Sequence, residues 1–115
     1  MTDTSGRLPY HSLPVVRDGQ PFAMFEGIRI VDVTTSVAGP YATQLLADFG
    51  AEVIKVERAH GDDARAWGPP FLDEQSLWFT AVNRNKKSVV LDARSEQGKA
   101  DMAALIASAD VFVTN

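Results

Sequence analysis

The 115-residue sequence predicts an α/β fold with a mostly parallel sheet flanked by helices. Three observations carry that expectation. Short β-branched apolar runs alternate with segments of helical period. The first two runs are joined by little more than one helix, the pattern of a right-handed parallel crossover. The same alternation then returns in the second half of the chain.

Taken in order, "GIRIVDV" (residues 27–33) reads as a mostly buried strand. Gly39 and Pro40 open a helix, because proline in the first turn has no N–H to lose and a preset φ. In "PYATQLLADF", Tyr41, Leu45, Leu46 and Phe49 recur at helical spacing and are expected to face the sheet. Gly50 supplies a left-handed stop, and "AEVIKVE" (51–57) follows at once as a second strand. Residues 58–75 form a long polar connection punctuated by Gly61, Gly68, Pro69 and Pro70. A short helix is expected within "EQSLWFTAVN", and "KSVVLD" (87–92) is a third strand. "SEQGKADMAALIASA" (95–109) is a helix capped by Ser95, with Met102, Leu105 and Ile106 inward. "DVFVTN" (110–115) is the fourth strand. Residues 1–24, rich in Pro, Gly, Ser and Asp, show no sustained period and read as an extension, which leaves 25–115 as the domain.

Composition narrows the function. The chain is 45% hydrophobic and 23% charged, an ordinary globular balance with room for one core. A net charge of −4 argues against nucleic acid as the main partner, yet leaves enough Lys and Arg for a local anion site. Without cysteine there is no disulfide framework, thiolate zinc site or cysteine nucleophile. No apolar run suggests a membrane span and no secretory signal opens the chain, so a cytoplasmic protein is expected.

In sheets of this kind ligands settle at the carboxyl ends of the strands. That rim carries residues 34–38, Arg58, the segment after Leu91, and Asn115. The first turn runs into a helix N-terminus, where free N–H groups favour anions, and Thr34, Thr35 and Ser36 add hydroxyls. Those residues could equally serve only to cap the helix. Glu57 lies 18 positions after Gly39, near the spacing at which an acid binds a ribose. The glycine triad of a dinucleotide site is missing, however, as is a Walker A pattern, so no standard NAD site is expected. Arg84, Lys86 and Lys87 form the densest basic cluster, with Arg84 a candidate phosphate contact. His11 and His60 lack a partner at metal-ligand spacing and read as surface histidines. Asp62 and Asp63 read as solvated, with Arg65 available to neutralise one; Trp67 and Trp78 read as core or interface anchors.

"GIRIVDVTTSVAGPYATQLLADFGAEVIKVE", "GDDARAWGPPF" and "NRNKKSVVLD", in that order, resemble the amino-terminal part of the family III CoA-transferases (the CaiB/BaiF group), from about Phe25 to Asn115. The group includes formyl-CoA:oxalate and carnitine CoA-transferases, with α-methylacyl-CoA racemase as a relative. The resemblance implies a Rossmann-like domain that binds coenzyme A, incomplete relative to the family fold. It places Ser36, Val37 and Ala38 beside the pantetheine and Arg58 at the CoA phosphates. Leu91, Ala93 and Arg94 border the adenine and its phosphorylated ribose, and Asn115 lies beside the CoA chain. Read from the residues alone, either arginine could be a solvated surface group.

The resemblance further implies an acyl-CoA and a carboxylic acid as substrates, no metal, and an interlocked homodimer of full-length chains. Transfer would run through an aspartyl intermediate whose aspartate lies beyond Asn115, so no catalytic residue is expected here. Asp32, Asp48, Asp92 and Asp110 do not match it. The racemase branch also places its His and Asp pair further along, and the motifs in hand report CoA binding common to both. A non-catalytic CoA-binding module is the third reading. Val37 stands where the formyl-CoA branch has glutamine, a departure that bears on the substrate.

Overall fold

The computed structural model describes residues 23–115. The expected extension therefore lies outside the described residues apart from Ala23 and Met24, as does His11. The main sheet has four strands: β1 (Arg29–Asp32), β2 (Glu52–Glu57), β5 (Lys86–Val90) and β6 (Val111–Val113). Their order is β5-β2-β1-β6 and every pairing is parallel, with Ile30 opposite both Val53 and Val111. Helix α1 (Ala38–Asp48) joins β1 to β2, and α3 (Glu96–Ala107) carries the chain from β5 at one edge to β6 at the other. The chain thus steps outward from β1 through β2 to β5 and then crosses to the other side of β1, so the β1–β6 junction is a topological switch point.

The sheet with its flanking helices is the predicted α/β architecture, and its local signals act as the sequence reading proposed. Gly50, at φ +100°, ends α1 in a Schellman motif: its N–H donates to the Ala47 carbonyl and the Ala51 N–H to that of Leu46. The Ser95 hydroxyl accepts the Gly98 N–H at 2.9 Å and starts α3. Pro40 falls in the first turn of α1.

The buried face of α1 differs from expectation. Tyr41, Leu45 and Phe49 are 51, 39 and 39% exposed, while Pro40, Thr43, Gln44 and Ala47 are buried. Of the expected face only Leu46 packs on the core, which is formed by Ile30, Ala47, Ala51 and Val53 with Phe25 and Val113. The reason lies in the sheet. Under the first half of α1 it presents charged groups, and Thr43 meets them by donating to Asp32 Oδ2 at 2.6 Å. A bulky apolar side chain there would strand a buried carboxylate. On α3, Met102 and Leu105 are half-buried but Ile106 is exposed.

The connection between β2 and β5 holds more structure than expected. Asp63–Ala66 is a 3-10 helix, and β3 (Phe71–Leu72) and β4 (Gln75–Ser76) make a hairpin leading into α2 (Leu77–Ala81). Its two turn residues, Asp73 and Glu74, both adopt positive φ, as a two-residue hairpin turn requires. Trp67 and Trp78 flank this unit and remain 38 and 52% exposed, so neither is a core anchor among the described residues.

Candidate functional site at the carboxyl rim

The rim begins with Asp32, the last residue of β1 and fully buried. Its Oδ1 accepts the Thr34 N–H at 2.9 Å and the Thr34 hydroxyl at 2.5 Å; Oδ2 accepts Thr43 and the Lys86 ammonium, the latter at 2.9 Å. Burial alone would raise the pKa of Asp32, but these donors outweigh it and hold the carboxyl below its ordinary range. Lys86 also donates to the Pro40 carbonyl and to Asn83 Oδ1. One carboxylate and one ammonium thereby join β1, α1 and β5.

After this anchor the chain turns sharply, with Ser36 at φ +67°. Val37 is the N-cap of α1 and no side chain caps the first turn. The threonines do not cap the helix: Thr34 is committed to Asp32, and Thr35 is held from the side. Asn115 Oδ1 accepts the Thr35 N–H at 3.1 Å while its amide donates to the Thr35 carbonyl at 3.0 Å. This pair of bonds fastens the end of the chain past β6 across the switch point to the β1–α1 loop. Gly39 is required by proximity, since a Cβ there would lie 2.4 Å from the Thr34 side chain.

Along β2, residues Val53, Lys55 and Glu57 share the α1 face. Lys55 is buried, donates to the Thr34 carbonyl at 2.9 Å and pairs with Asp62 at 2.8 Å. The two oxygens of Glu57 accept Arg65 Nε at 2.7 Å, Arg65 Nη2 at 2.6 Å, the Ser88 hydroxyl at 2.6 Å and the Asp62 N–H at 3.0 Å. Burial opposes its charge, but these bonds bring the Glu57 pKa down to about 2. A ribose role is therefore closed to Glu57, whose acceptors are taken. Arg65 neutralises Glu57 rather than either neighbouring aspartate, and its guanidinium stacks 3.7 Å from the centroid of the Phe79 ring. Asp63 is exposed as expected, whereas Asp62 is buried because it answers Lys55 and caps the 3-10 helix through the Ala64 N–H.

Two adjoining hollows open on this rim. A cleft of about 220 Å³ is bordered by Thr34, Thr35, Lys55, Arg58, Asp62 and, on its apolar side, Val56, Leu91 and Met102. A wider groove of about 510 Å³ is lined by Arg58, Ala59 and His60 from one loop and Leu91, Asp92, Ala93 and Arg94 from the other. Four sequence candidates, Arg58, Leu91, Ala93 and Arg94, thus share one groove. Ser36, Val37 and Ala38 lie at the α1 N-terminus, outside the lining of both hollows, and Asn115 reaches the site through Thr35. Sequence reasoning put Thr34 and Thr35 on the rim but missed Lys55, Asp62 and Met102. The period-2 placement of Val53, Lys55 and Glu57 was the available signal that Lys55 points to the same side as a core valine.

The charge pattern separates the candidates further. Among the described residues Arg29, Lys55, Arg65, Arg84, Lys86, Lys87 and Lys99 are all ion-paired. Arg58 and Arg94 alone are not, and both border the groove. Arg84, by contrast, grips Asp48 at the far end of α1 with bonds of 2.7 and 3.3 Å. Lys86 is buried on Asp32 and Lys87 pairs with Glu52. The basic cluster is thus spent on structure at the amino end of β5, opposite the groove. Among the described residues no group of three or more His, Asp or Glu is arranged to hold a metal ion, and no helix is long and apolar enough to cross a membrane.

Gly98 sets the floor of the β5–α3 turn. A Cβ there would fall 1.9 Å from the Asp92 carbonyl oxygen. Gly98→Ala is expected to displace that turn at a cost of about 1–3 kcal/mol, read as a lowered urea midpoint.

Residues 25–115 match the family model described as CoA-transferase family III. The succinyl-CoA:glutarate CoA-transferase of Mus musculus is 53% identical over 91 residues, covering 78% of this chain and 21% of that protein. The formyl-CoA:oxalate CoA-transferase of Streptomyces coelicolor is 48% identical over 90 residues, 78% of this chain and 22% of the relative. Among solved structures, a CAIB/BAIF family protein from Brucella suis aligns with TM-score 0.75 at 42% identity, over 78% of this chain and 25% of that one. A hypothetical protein from Mycobacterium tuberculosis aligns with TM-score 0.72 at 45% identity, over 81% and 25% of the two chains. The chain spans about a fifth to a quarter of the length of these relatives. With a family match across the whole sheet and a four-stranded parallel order to go with it, the chain belongs to the family III CoA-transferases.

Proposed function

We propose that the carboxyl rim binds coenzyme A, and that this domain is the CoA-binding amino-terminal portion of an enzyme moving CoA between an acyl-CoA and a carboxylic acid. One observation carries the reading: the two cations without a protein partner among the described residues, Arg58 and Arg94, border a common groove. An arginine left unpaired in an acidic protein is available for an anion, and its planar fork suits phosphate oxygens. Coenzyme A offers a pyrophosphate and a 3′-phosphate. Val33, Val56, Leu91, Ala93 and Met102 give the adjoining cleft an apolar wall for the uncharged parts of such a ligand. Two of the proteins named above are CoA-transferases whose names pair an acyl-CoA with glutarate or oxalate, both carboxylic acids, which favours transfer over racemisation.

In this reading the attacking carboxylate of an aspartyl intermediate lies outside the chain. Five of the aspartates present are held by other groups. Asp32 is buried under four donors, Asp62 is paired with Lys55, and Asp48 is held by Arg84 and Asn85. Asp110 is bound to the Arg29 N–H, and Asp92 to that of Arg94. Among those bordering the cleft Asp63 is the exception: it is exposed and lies 3.9 Å from His60 Nε2. The same proposal includes a cytoplasmic setting and an interlocked homodimer of full-length chains, for which Tyr41 and Leu45 offer exposed apolar surface.

The test is calorimetric titration with coenzyme A. Arg58→Ala and Arg94→Ala are each expected to weaken binding by about 1–3 kcal/mol, on the order of 5- to 150-fold. Binding that neither substitution alters, or no binding by the unsubstituted chain, would remove the site.

A further inference from the structure

We infer that Glu57 is a positioning residue for this groove: a single buried carboxylate sets where Arg58 and Arg94 stand relative to each other. The inference rests on the coenzyme A reading above and adds a determinant that acts through its neighbours: Glu57 borders the cleft, but its side chain is only 2% exposed.

The Glu57 side chain is tied to the loop that carries Arg58 and to β5, the strand from which the Arg94 turn leaves. Arg58 follows Glu57 directly in the chain. The Arg58 loop then folds back onto the carboxylate through the Asp62 N–H at 3.0 Å and the two Arg65 bonds at 2.7 and 2.6 Å. The return is tight, because a Cβ on Gly61 would lie 3.3 Å from Glu57 Oε2 and 2.8 Å from Arg65 Cδ. On the other side the carboxylate accepts the Ser88 hydroxyl of β5 at 2.6 Å. The Glu57 backbone carbonyl takes the Leu91 N–H at 3.0 Å, where the turn bearing Arg94 begins. Phe79 braces Arg65 from the far side.

These contacts have a purpose in the groove. Two guanidinium groups facing one hollow repel each other and gain nothing from the protein by staying there. Their spacing must come from the backbone that carries them, and both backbones are fastened to Glu57. A phosphate-bearing ligand then meets a preset pair of cations instead of ordering two loops as it binds.

The experiment is a double-mutant cycle read by titration of the 115-residue chain with coenzyme A. Glu57→Gln removes the charge that holds Arg65, and Ser88→Ala removes one hydrogen bond while leaving the charge in place. In the native background Glu57→Gln is expected to weaken binding roughly tenfold or more and Ser88→Ala about threefold. In the Arg94→Ala background the Glu57→Gln loss is expected to shrink to about threefold or less, and the Ser88→Ala loss to vanish. A general loss of structure would produce equal losses in both backgrounds, and that result overturns the inference. So does unchanged affinity in the native background. Should Glu57→Gln fail to fold, the Ser88→Ala arm decides alone. If the unsubstituted chain does not bind coenzyme A, or Arg94→Ala binds as it does, the groove reading itself falls, a result distinct from a failed cycle.

Discussion

Asp32→Ala is expected to destabilise the domain by about 3–5 kcal/mol, the largest single-residue effect the structure implies. The carboxylate receives two bonds from Thr34, one from Thr43 and one from Lys86. Its removal leaves the Lys86 ammonium, whose side chain is 2% exposed, buried beside a void with only neutral acceptors. The loss is mostly that of an orphaned charge, so replacing both partners at once should recover much of it. Asp32→Leu with Lys86→Met is expected to lie well above Asp32→Ala in urea midpoint, with Thr43 and Thr34 accounting for the remaining deficit. A small loss in Asp32→Ala would mean that the pair contributes little beyond its packing.

The second large effect is acid sensitivity. Glu57 titrates near 2 in the folded chain against an ordinary value of 4.5. A depressed carboxylate contributes stability that is fully present above the unfolded value and is lost as pH falls through the folded one. The window is therefore about pH 4.5 down to about pH 2, and the full contribution is roughly 3 kcal/mol. Asp32 is shifted in the same direction and steepens the same limb. Urea midpoints measured from about pH 7 to about pH 2.5 should stay level in the upper range and then fall. Glu57→Gln is expected to start lower at neutral pH and to show a shallower acid limb. An acid limb as steep as that of the unsubstituted chain would show that Glu57 is not the group responsible.

The architecture was legible because its signals are local. Runs such as "GIRIVDV" and "AEVIKVE" name strands by composition, and Gly50 and Ser95 mark a stop and a start by backbone chemistry that depends on few neighbours. What failed depended on surroundings. The face of α1 was misassigned because helical periodicity assumes an apolar surface beneath, whereas this sheet offers Asp32, Lys55 and Lys86, so Thr43 and Gln44 turn inward and Tyr41 outward. The hairpin at residues 71–76 escaped notice because its strands are two residues long and its turn, Asp73 and Glu74, lacks the glycine that usually announces positive φ.

For the site, the rule that ligands gather at strand ends was enough to single out Arg58, Leu91, Ala93 and Arg94, which the fold brings to one groove. It could not show which cations would remain free. That depended on long-range pairings, Lys86 with Asp32 and Arg84 with Asp48, that no spacing in the sequence announces. Arg84 looked as eligible as Arg58 until its partner was known. Asn115, expected near a ligand, clasps the backbone of Thr35, which borders the cleft.

The charged seam under α1 also constrains how this lineage can change. A mutation that removes Asp32 strands Lys86, and one that removes Lys86 strands Asp32, so each single step towards an oily interior passes through a weakened molecule. An apolar replacement that is tolerable as a finished product is thus out of reach one substitution at a time. Descendants should keep the two residues together or exchange them together, even where neither has any bearing on chemistry.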